Sequence, residues 1–252
     1  MNATELSIVT ADPIQVLGMS FYFDPLTAAR AKELGLNVYE FYGLGRGGVL
    51  GNATLEDIDR AFTFFHWDTL SFLWESARAK ADPVVTADEY VKAAYAFADR
   101  TFAAVPEAVL IGFAAATQKV VDAVGAGSHH LFDGYRRFDV PPNARHAAYL
   151  GTILLRELRG GVHIDAVAQV GLTPTQACYL QDASLFALHG YGESDAPTVT
   201  PDLEAKKVAA EVLTAQAMAD YFACLSEDEC QQIADGTNAM FAALASPVAV
   251  TA

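Results

Sequence analysis

His163-Ile164-Asp165-Ala166-Val167-Ala168-Gln169-Val170-Gly171, followed by Leu172-Thr173-Pro174-Thr175-Gln176, carries the clearest fold signal in the chain. Its first half spaces apolar residues as an amphipathic helix does and ends on a glycine suited to a turn. Its second half restarts a helix, with Thr173 as N-cap, Pro174 at the first helical position and Gln176 closing a capping box. Two helices joined by a tight turn make a helix-turn-helix pattern. In a DNA reader the second helix enters the major groove beside the phosphates, where Lys and Arg supply most of the affinity. Between Gly161 and Ala205 there is neither, while Asp165, Asp182, Glu193, Asp195, Asp202 and Glu204 contribute six acids. The shape is that of a DNA reader; the charge opposes DNA.

The rest of the chain repeats that opposition. Its 252 residues carry a formal net charge of −15, which disfavours nucleic acid and anionic membranes as partners. Hydrophobic residues make up 52% and charged residues 19%, enough for a large core and some apolar surface at an interface or in a lined cavity. Thr4, Glu5, Thr10 and Asp12 interrupt any leader-like apolar run, and no stretch is apolar enough to span a bilayer. Cys178, Cys224 and Cys230 are an odd number without CxxC spacing, which predicts reduced thiols in a cytoplasmic protein.

The pattern is helical nearly throughout. Helices are expected from Asp24-Pro25 to Leu34, after the Thr54 cap, from Asp68 to about Lys80, and from Pro106 to Val124, while Val38–Leu44 is a short aromatic and apolar segment. Thr86 and Glu89 suggest a capping box for Tyr90–Thr101. Asn143 caps a strongly apolar helix expected to stop at Gly160-Gly161, and two acidic helices cover about 202–222 and 227–244, before a frayed end over 246–252. No convincing strand alternation appears. The predicted fold is all-α: a multi-helix bundle with a degenerate winged-helix, helix-turn-helix-like C-terminal half. The irregular segment 128–142 divides it into an N-terminal helical domain, 1–127, and a helix-turn-helix-like domain lacking a clear wing, 128–252.

Several segments carry a resemblance. Tyr22-Phe23-Asp24-Pro25, Ala28–Gly35, Phe41-Tyr42, Gly45–Gly51, Phe64-Phe65-His66, Leu154–His163 and Val170–Ala177 lead it, with Val212-Leu213-Thr214 and Ala223–Glu227 in the tail. Through them the chain resembles an uncharacterised actinobacterial family of MarR-like, helix-turn-helix-related proteins. The resemblance implies a winged-helix scaffold and pairing of two chains through terminal helices. Family members usually follow the second helix with an aromatic-acidic helix and a glycine-centred hairpin wing; here Gly190–Thr200 is too short for both.

Three segments offer candidate chemistry. Gly43-Leu44-Gly45-Arg46-Gly47-Gly48-Val49-Leu50-Gly51-Asn52 reads either as exposed backbone N–H groups cradling an anion beside Arg46, or as a tight turn whose arginine pairs with a carboxylate between helices. Phe62-Thr63-Phe64-Phe65-His66-Trp67 reads either as the wall of an aromatic pocket with His66 moving protons, or as ordinary core. In Arg156-Glu157-Leu158-Arg159-Gly160-Gly161-Val162-His163 the glycine pair would fold His163 back on Glu157; the other reading is an ion-pair cluster at a helix end. No metal is expected, because His129-His130 with Asp133 lacks ligand spacing, and no cofactor motif appears. Arg136, Arg137, Arg145, Arg156 and Arg159 form the best case for a nucleic-acid patch.

The expectation is therefore a cytoplasmic homodimer that binds a small, apolar or weakly anionic organic molecule. Tyr42, Arg46, Gly47, Gly48, Asn52, Phe65 and Trp67 would be ligand contacts, with His66, Glu157 and His163 as catalytic candidates. The reaction class suited to such a site is cofactor-independent isomerase, cyclase or lyase chemistry of secondary metabolism. The alternative is a MarR-like transcriptional regulator binding DNA as a dimer.

Overall fold

The structure, a computed structural model, describes residues 1–245; the frayed end expected over 246–252 lies outside them. Among the described residues there are fourteen α-helices, two short 3-10 turns and no strand, so the protein is the all-α bundle that the spacing predicted. No helix among them is long and apolar enough to cross a membrane.

The axis of the bundle is α10, Ala144–Gln169. Every residue from Ala148 to Leu155 is buried, and a helix with no polar face must be enclosed on all sides. Around it pack α2 (Ala11–Met19), α7 (Pro83–Thr101), α8 (Glu107–Ala123), α9 (His130–Tyr135) and α13 (Pro201–Phe222). Outside these, α14 (Glu227–Ala245) lies on α8, α1 (Ala3–Val9) lies on α13, and α4 (Val38–Gly47) lies between α7 and α6 (Trp67–Arg78). One hydrophobic core draws residues from Leu6 to Met240 and so runs across the 127/128 position.

Local signals explain most helix starts. Thr54 caps α5 (Leu55–Ala61) in a box with Asp57, and Asn143 caps α10 through the backbone N–H groups of Arg145 and His146. The Ser226 hydroxyl accepts from the Glu229 backbone at the head of α14. At α7 the expected box does not form: the helix starts a turn earlier, on Asp82 and Pro83. Thr86 instead donates to the Asp82 carbonyl and Glu89 pairs with Arg30 and Lys92.

Glycine departs from its local signal at two places. Gly160-Gly161 do not end α10, which runs through them for another two turns. A Cβ at Gly161 would lie 2.6 Å from the His129 side chain, whereas one at Gly160 would meet nothing within 4 Å. Close approach of the α9 segment fixes Gly161, and the packing along α10 outweighs roughly 1 kcal/mol of lost propensity per glycine. Likewise the Gly43–Gly47 run is helix and not an anion cradle: Gly45 faces the Tyr90 ring and Gly48 faces the Pro83 carbonyl, where a Cβ would lie 2.6 and 2.0 Å away respectively. Those glycines let α4 lie against α7.

The helix-turn-helix forms as expected in outline. The last turns of α10 lead through Gly171, at φ +72°, into α11 (Pro174–Gln181), with the Thr173–Gln176 capping box in place. Then come α12 (Ala183–Phe186) and an irregular stretch to Thr200, broken only by a 3-10 turn at Glu193–Asp195. Two small apolar clusters seat this unit, Val167-Leu172-Ala177-Leu203-Ala210 and Cys178-Phe186-Tyr191, both apart from the main core and both touching Phe64.

The two adjacent glycines of α10 make a direct test. Gly160→Ala should stabilise the protein by about 0.5–1 kcal/mol, because the helix gains propensity and nothing is displaced. Gly161→Ala should destabilise it by about 1–3 kcal/mol through overpacking against His129. Urea denaturation measures both, and stabilisation by Gly161→Ala would refute the packing account.

Candidate functional site

Two helices distant in sequence meet at the floor of a cavity. In α4 the Asn37 side chain caps the first turn, and Tyr42 and Arg46 then share one face at i, i+4. In α10 Arg156, Arg159, Gly160 and His163 fall on one stripe. Where the helices meet, Arg46 donates to Glu157 through both edges, Nε to Oε1 at 2.9 Å and Nη2 to Oε2 at 2.8 Å. Arg156 donates from Nη1 to the same Oε1 at 2.8 Å, and Arg46 Nη1 donates to the Tyr42 hydroxyl at 3.1 Å. The guanidinium of Arg46 also lies 4.7 Å from the centre of the Phe62 ring, and that of Arg156 5.3 Å from Tyr22.

Electrostatics keeps all three groups charged. Burial pushes the Glu157 carboxyl upward, but Arg46 and Arg156 beside it outweigh that and hold it below its ordinary value. Burial pulls on Arg46 as well, and Glu157 holds it well above its ordinary value. The Glu157 side chain is 2% exposed, that of Arg46 10% and that of Arg156 12%. The charge-assisted fork is the strong kind of hydrogen bond, so it ties α4 to α10 at fixed distance and angle.

Above this floor opens a cavity of about 480 Å³. Its lining is aromatic on the α4–α6 side, with Tyr42, Phe62, Phe64 and Phe65. The helix-turn-helix contributes Ala177, Cys178 and Gln181 of α11, Leu185 of α12, and His189, whose ring centre lies 4.5 Å from that of Phe65. Burial pushes the Cys178 thiol up to about 11, so it is a packing group and not a nucleophile. Two imidazoles line the space in a defined state. His189 is a hydrogen-bond donor through Nδ1 to the Leu185 carbonyl at 2.8 Å. The Thr214 hydroxyl gives its proton to the Ala210 carbonyl, so at 3.0 Å it accepts from His163 Nδ1. Both rings are held below the ordinary imidazole value, chiefly by burial. Burial thus favours the neutral form of each ring, in which Nε2 is the lone-pair nitrogen, and Glu211 near His163 Nε2 opposes it there.

The structure brings together Tyr42, Arg46, Phe65, Glu157 and His163 around one space. It does not bring Gly47, Gly48, Asn52, His66 or Trp67 there. Gly47 and Gly48 are buried between helices, Asn52 is exposed in the turn before α5, and Trp67 is 43% exposed. His66 caps α6, its Nδ1 accepting from the Asp68 backbone. The expected Glu157–His163 pair does not form either, since α10 continues helically and turns His163 to Thr214 and Glu211 while Glu157 holds two arginines. Of the two readings of Arg46, the ion pair between helices is the one found. His189 joins the site without having been expected there, and Arg156, expected in a candidate ion-pair cluster, joins it as a partner of Glu157. No local signal marks His189, but the i, i+3, i+4, i+7 recurrence of 156, 159, 160 and 163 is visible in the sequence.

At the head of α11, away from the cavity, Thr173 and Pro174 are exposed and uncharged. The nearest cations downstream are both engaged: Lys206 pairs with Asp202, and Lys207 is bonded to the Leu180 carbonyl at the end of α11. Each of the five arginines considered as a nucleic-acid patch has a carboxylate partner: Arg136 with Asp133, Arg137 with Asp88, Arg145 with Asp99, Arg156 with Glu157 and Arg159 with Glu211.

The chain matches the model of a helix-turn-helix family over residues 9–196, and it belongs to that family. No curated protein and no solved structure matches it. The matched segment holds every cavity-lining residue except Glu211, so the cavity is built within the family region and closed from α13.

Replacing Glu157 by Gln leaves two buried guanidiniums without their carboxylate, and should cost about 3–5 kcal/mol at neutral pH. The sign with pH follows from the lowered carboxyl. Glu157 contributes stability above the unfolded carboxylate value and loses it as pH falls through its lower folded value. The gap between wild type and Glu157→Gln should therefore close on acidification, as read by urea denaturation at stepped pH; a gap that stays constant would contradict a charged Glu157. Nitrogen-detected NMR should find His163 and His189 as Nδ1-protonated neutral rings titrating below ordinary histidine, and a cationic His189 at neutral pH would contradict that protonation state.

Proposed function

We propose that this helix-turn-helix protein binds a small, largely apolar organic molecule in the cavity between α4, α10 and α11. The observation that carries the proposal is the composition of that cavity: about 480 Å³, aromatic on one wall and charged at the floor. Volumes of roughly 300–1,000 Å³ with apolar walls and a few placed polar groups are what small-molecule sites have. Phe62 and Phe65 would hold a flat or apolar body, and the arginine floor an electron-rich end. The chemistry suited to it is acid–base catalysis of isomerase, cyclase or lyase type, with His163 or His189 carrying protons, because both line the cavity and burial favours their neutral, lone-pair-bearing form. We take the protein to act in the cytoplasm as a homodimer, the pairing being what the MarR-like resemblance implies.

Family membership favours a second reading, a MarR-like regulator binding DNA as a dimer. Against it stand the uncharged face of α11, the irregular stretch where a wing would be, and the carboxylate partner of every arginine in the patch. Neutralising phosphates needs free cations.

A differential scanning screen of metabolites, run beside gel mobility shifts, separates the two. Ligand binding predicts stabilising hits, which Phe65→Ala and Gln181→Trp variants weaken by tenfold or more. It also predicts no shift of genomic duplex fragments by micromolar protein at about 50 mM salt. A specific, steeply salt-dependent shift with no stabilising metabolite would overturn it in favour of the regulator.

A further inference from the structure

The two arginines on Glu157 are not equivalent. Arg46 spends Nε and Nη2 on the carboxylate and Nη1 on the Tyr42 hydroxyl, so all three of its nitrogens are engaged. Arg156 gives Glu157 only Nη1, and its Nε is fully enclosed with no hydrogen-bond partner. The stem of Arg156 lies flat on α2 at Gly18, where a Cβ would come within 2.5 Å of its Cδ. Nε is sealed away from the cavity, but Nη2 also has no hydrogen-bond partner in the protein and is not sealed, so it is the donor that an entering group meets.

Charge counting agrees. The other two cavity arginines have their own acids, Arg159 with Glu211 and Arg60 with Asp57. The floor therefore holds two guanidiniums and one carboxylate, an excess of one positive charge away from water. Such an excess is expensive when uncompensated, and an anion entering the cavity relieves it. The remaining acids that line the space, Asp12, Asp165 and Asp182, are all exposed. They form an acidic rim on a chain of net charge −15, which repels polyphosphates and nucleic acid but tolerates a singly charged molecule with an apolar body.

Resting on the ligand-binding reading above, we propose that the ligand is an organic monocarboxylate whose carboxylate is received by Arg156, while Arg46 is the positioning residue that holds Glu157. Binding adds no bond to Arg46 and leaves the interhelical fork intact. The apolar body of the acid lies against Tyr42, Phe62 and Phe65.

Isothermal calorimetry on the full chain tests this with four probes that share one ring: benzoate, benzamide, benzylamine and phenylphosphonate. The expected result is benzoate binding at least tenfold tighter than benzamide, with phenylphosphonate weaker than benzoate and benzylamine weakest. Arg156→Met should bring benzoate down to the benzamide level and leave benzamide unchanged, while Arg156→Lys should restore part of the preference. The wild-type comparison needs no variant, and the Arg156 Nε–H resonance should move with benzoate and stay put with benzamide. Equal affinity for benzoate and benzamide would overturn the anion assignment alone, as would metabolite hits that are all neutral or cationic. Silence from all four probes together with an empty metabolite screen would overturn the ligand-binding reading as well.

Discussion

The carboxylate of Glu157, gripped by guanidiniums from two helices, one of them 111 positions away in sequence, sets the geometry of everything around it. A charge enclosed this deeply survives only with matched partners, so the backbones of α4 and α10 have little freedom where they cross. Glycines on α4 let that helix press against α7, and Gly161 admits the side chain of His129 against α10. What the fork leaves above itself is a hollow rather than a packed seam. Buried charge fixes the distance between elements, and aromatic rings frame the space around it.

The helix-turn-helix is put to unusual use in this frame. Its second helix has a capping box, a glycine turn and its own small apolar clusters, so the unit is well formed. Yet the inner face of α11 closes a cavity, and its outer face has no cation. A recognition helix works by projecting basic and polar side chains toward a duplex. Here the helix serves as a wall, and the surfaces that count for chemistry point inward. Membership of a helix-turn-helix family establishes the ancestry of the fold; the site must speak for the activity.

Much of the architecture is legible residue by residue. Thr54 with Asp57, Asn143, Thr173 with Gln176, and Ser226 with Glu229 mark helix starts because capping is a local hydrogen bond between near neighbours. Local propensity fails where tertiary packing opposes it. Gly160-Gly161 and the glycines of α4 look like breaks, because a single sequence does not show which helix will approach closely enough to require a missing Cβ. At α7 the rival cap Asp82-Pro83, one turn ahead of Thr86, wins because proline presets the first helical turn. The site divides in the same way. Tyr42, Arg46, Phe65, Glu157 and His163 stand out by residue type and do share one space, but the pairing of Arg46 with Glu157 is a long-range event with no signature in spacing. His66 and Trp67 stand out by residue type as well, but His66 caps α6 and Trp67 opens it, and neither lines the cavity.

The sharpest test is a crystal structure of the full chain grown with benzoate. The expected result is a carboxylate within hydrogen-bonding distance of Arg156, a ring against Phe62 and Phe65, and Arg46 still forked onto Glu157. A hollow that stays empty while Arg156 or Glu157 swings out to solvent would contradict it.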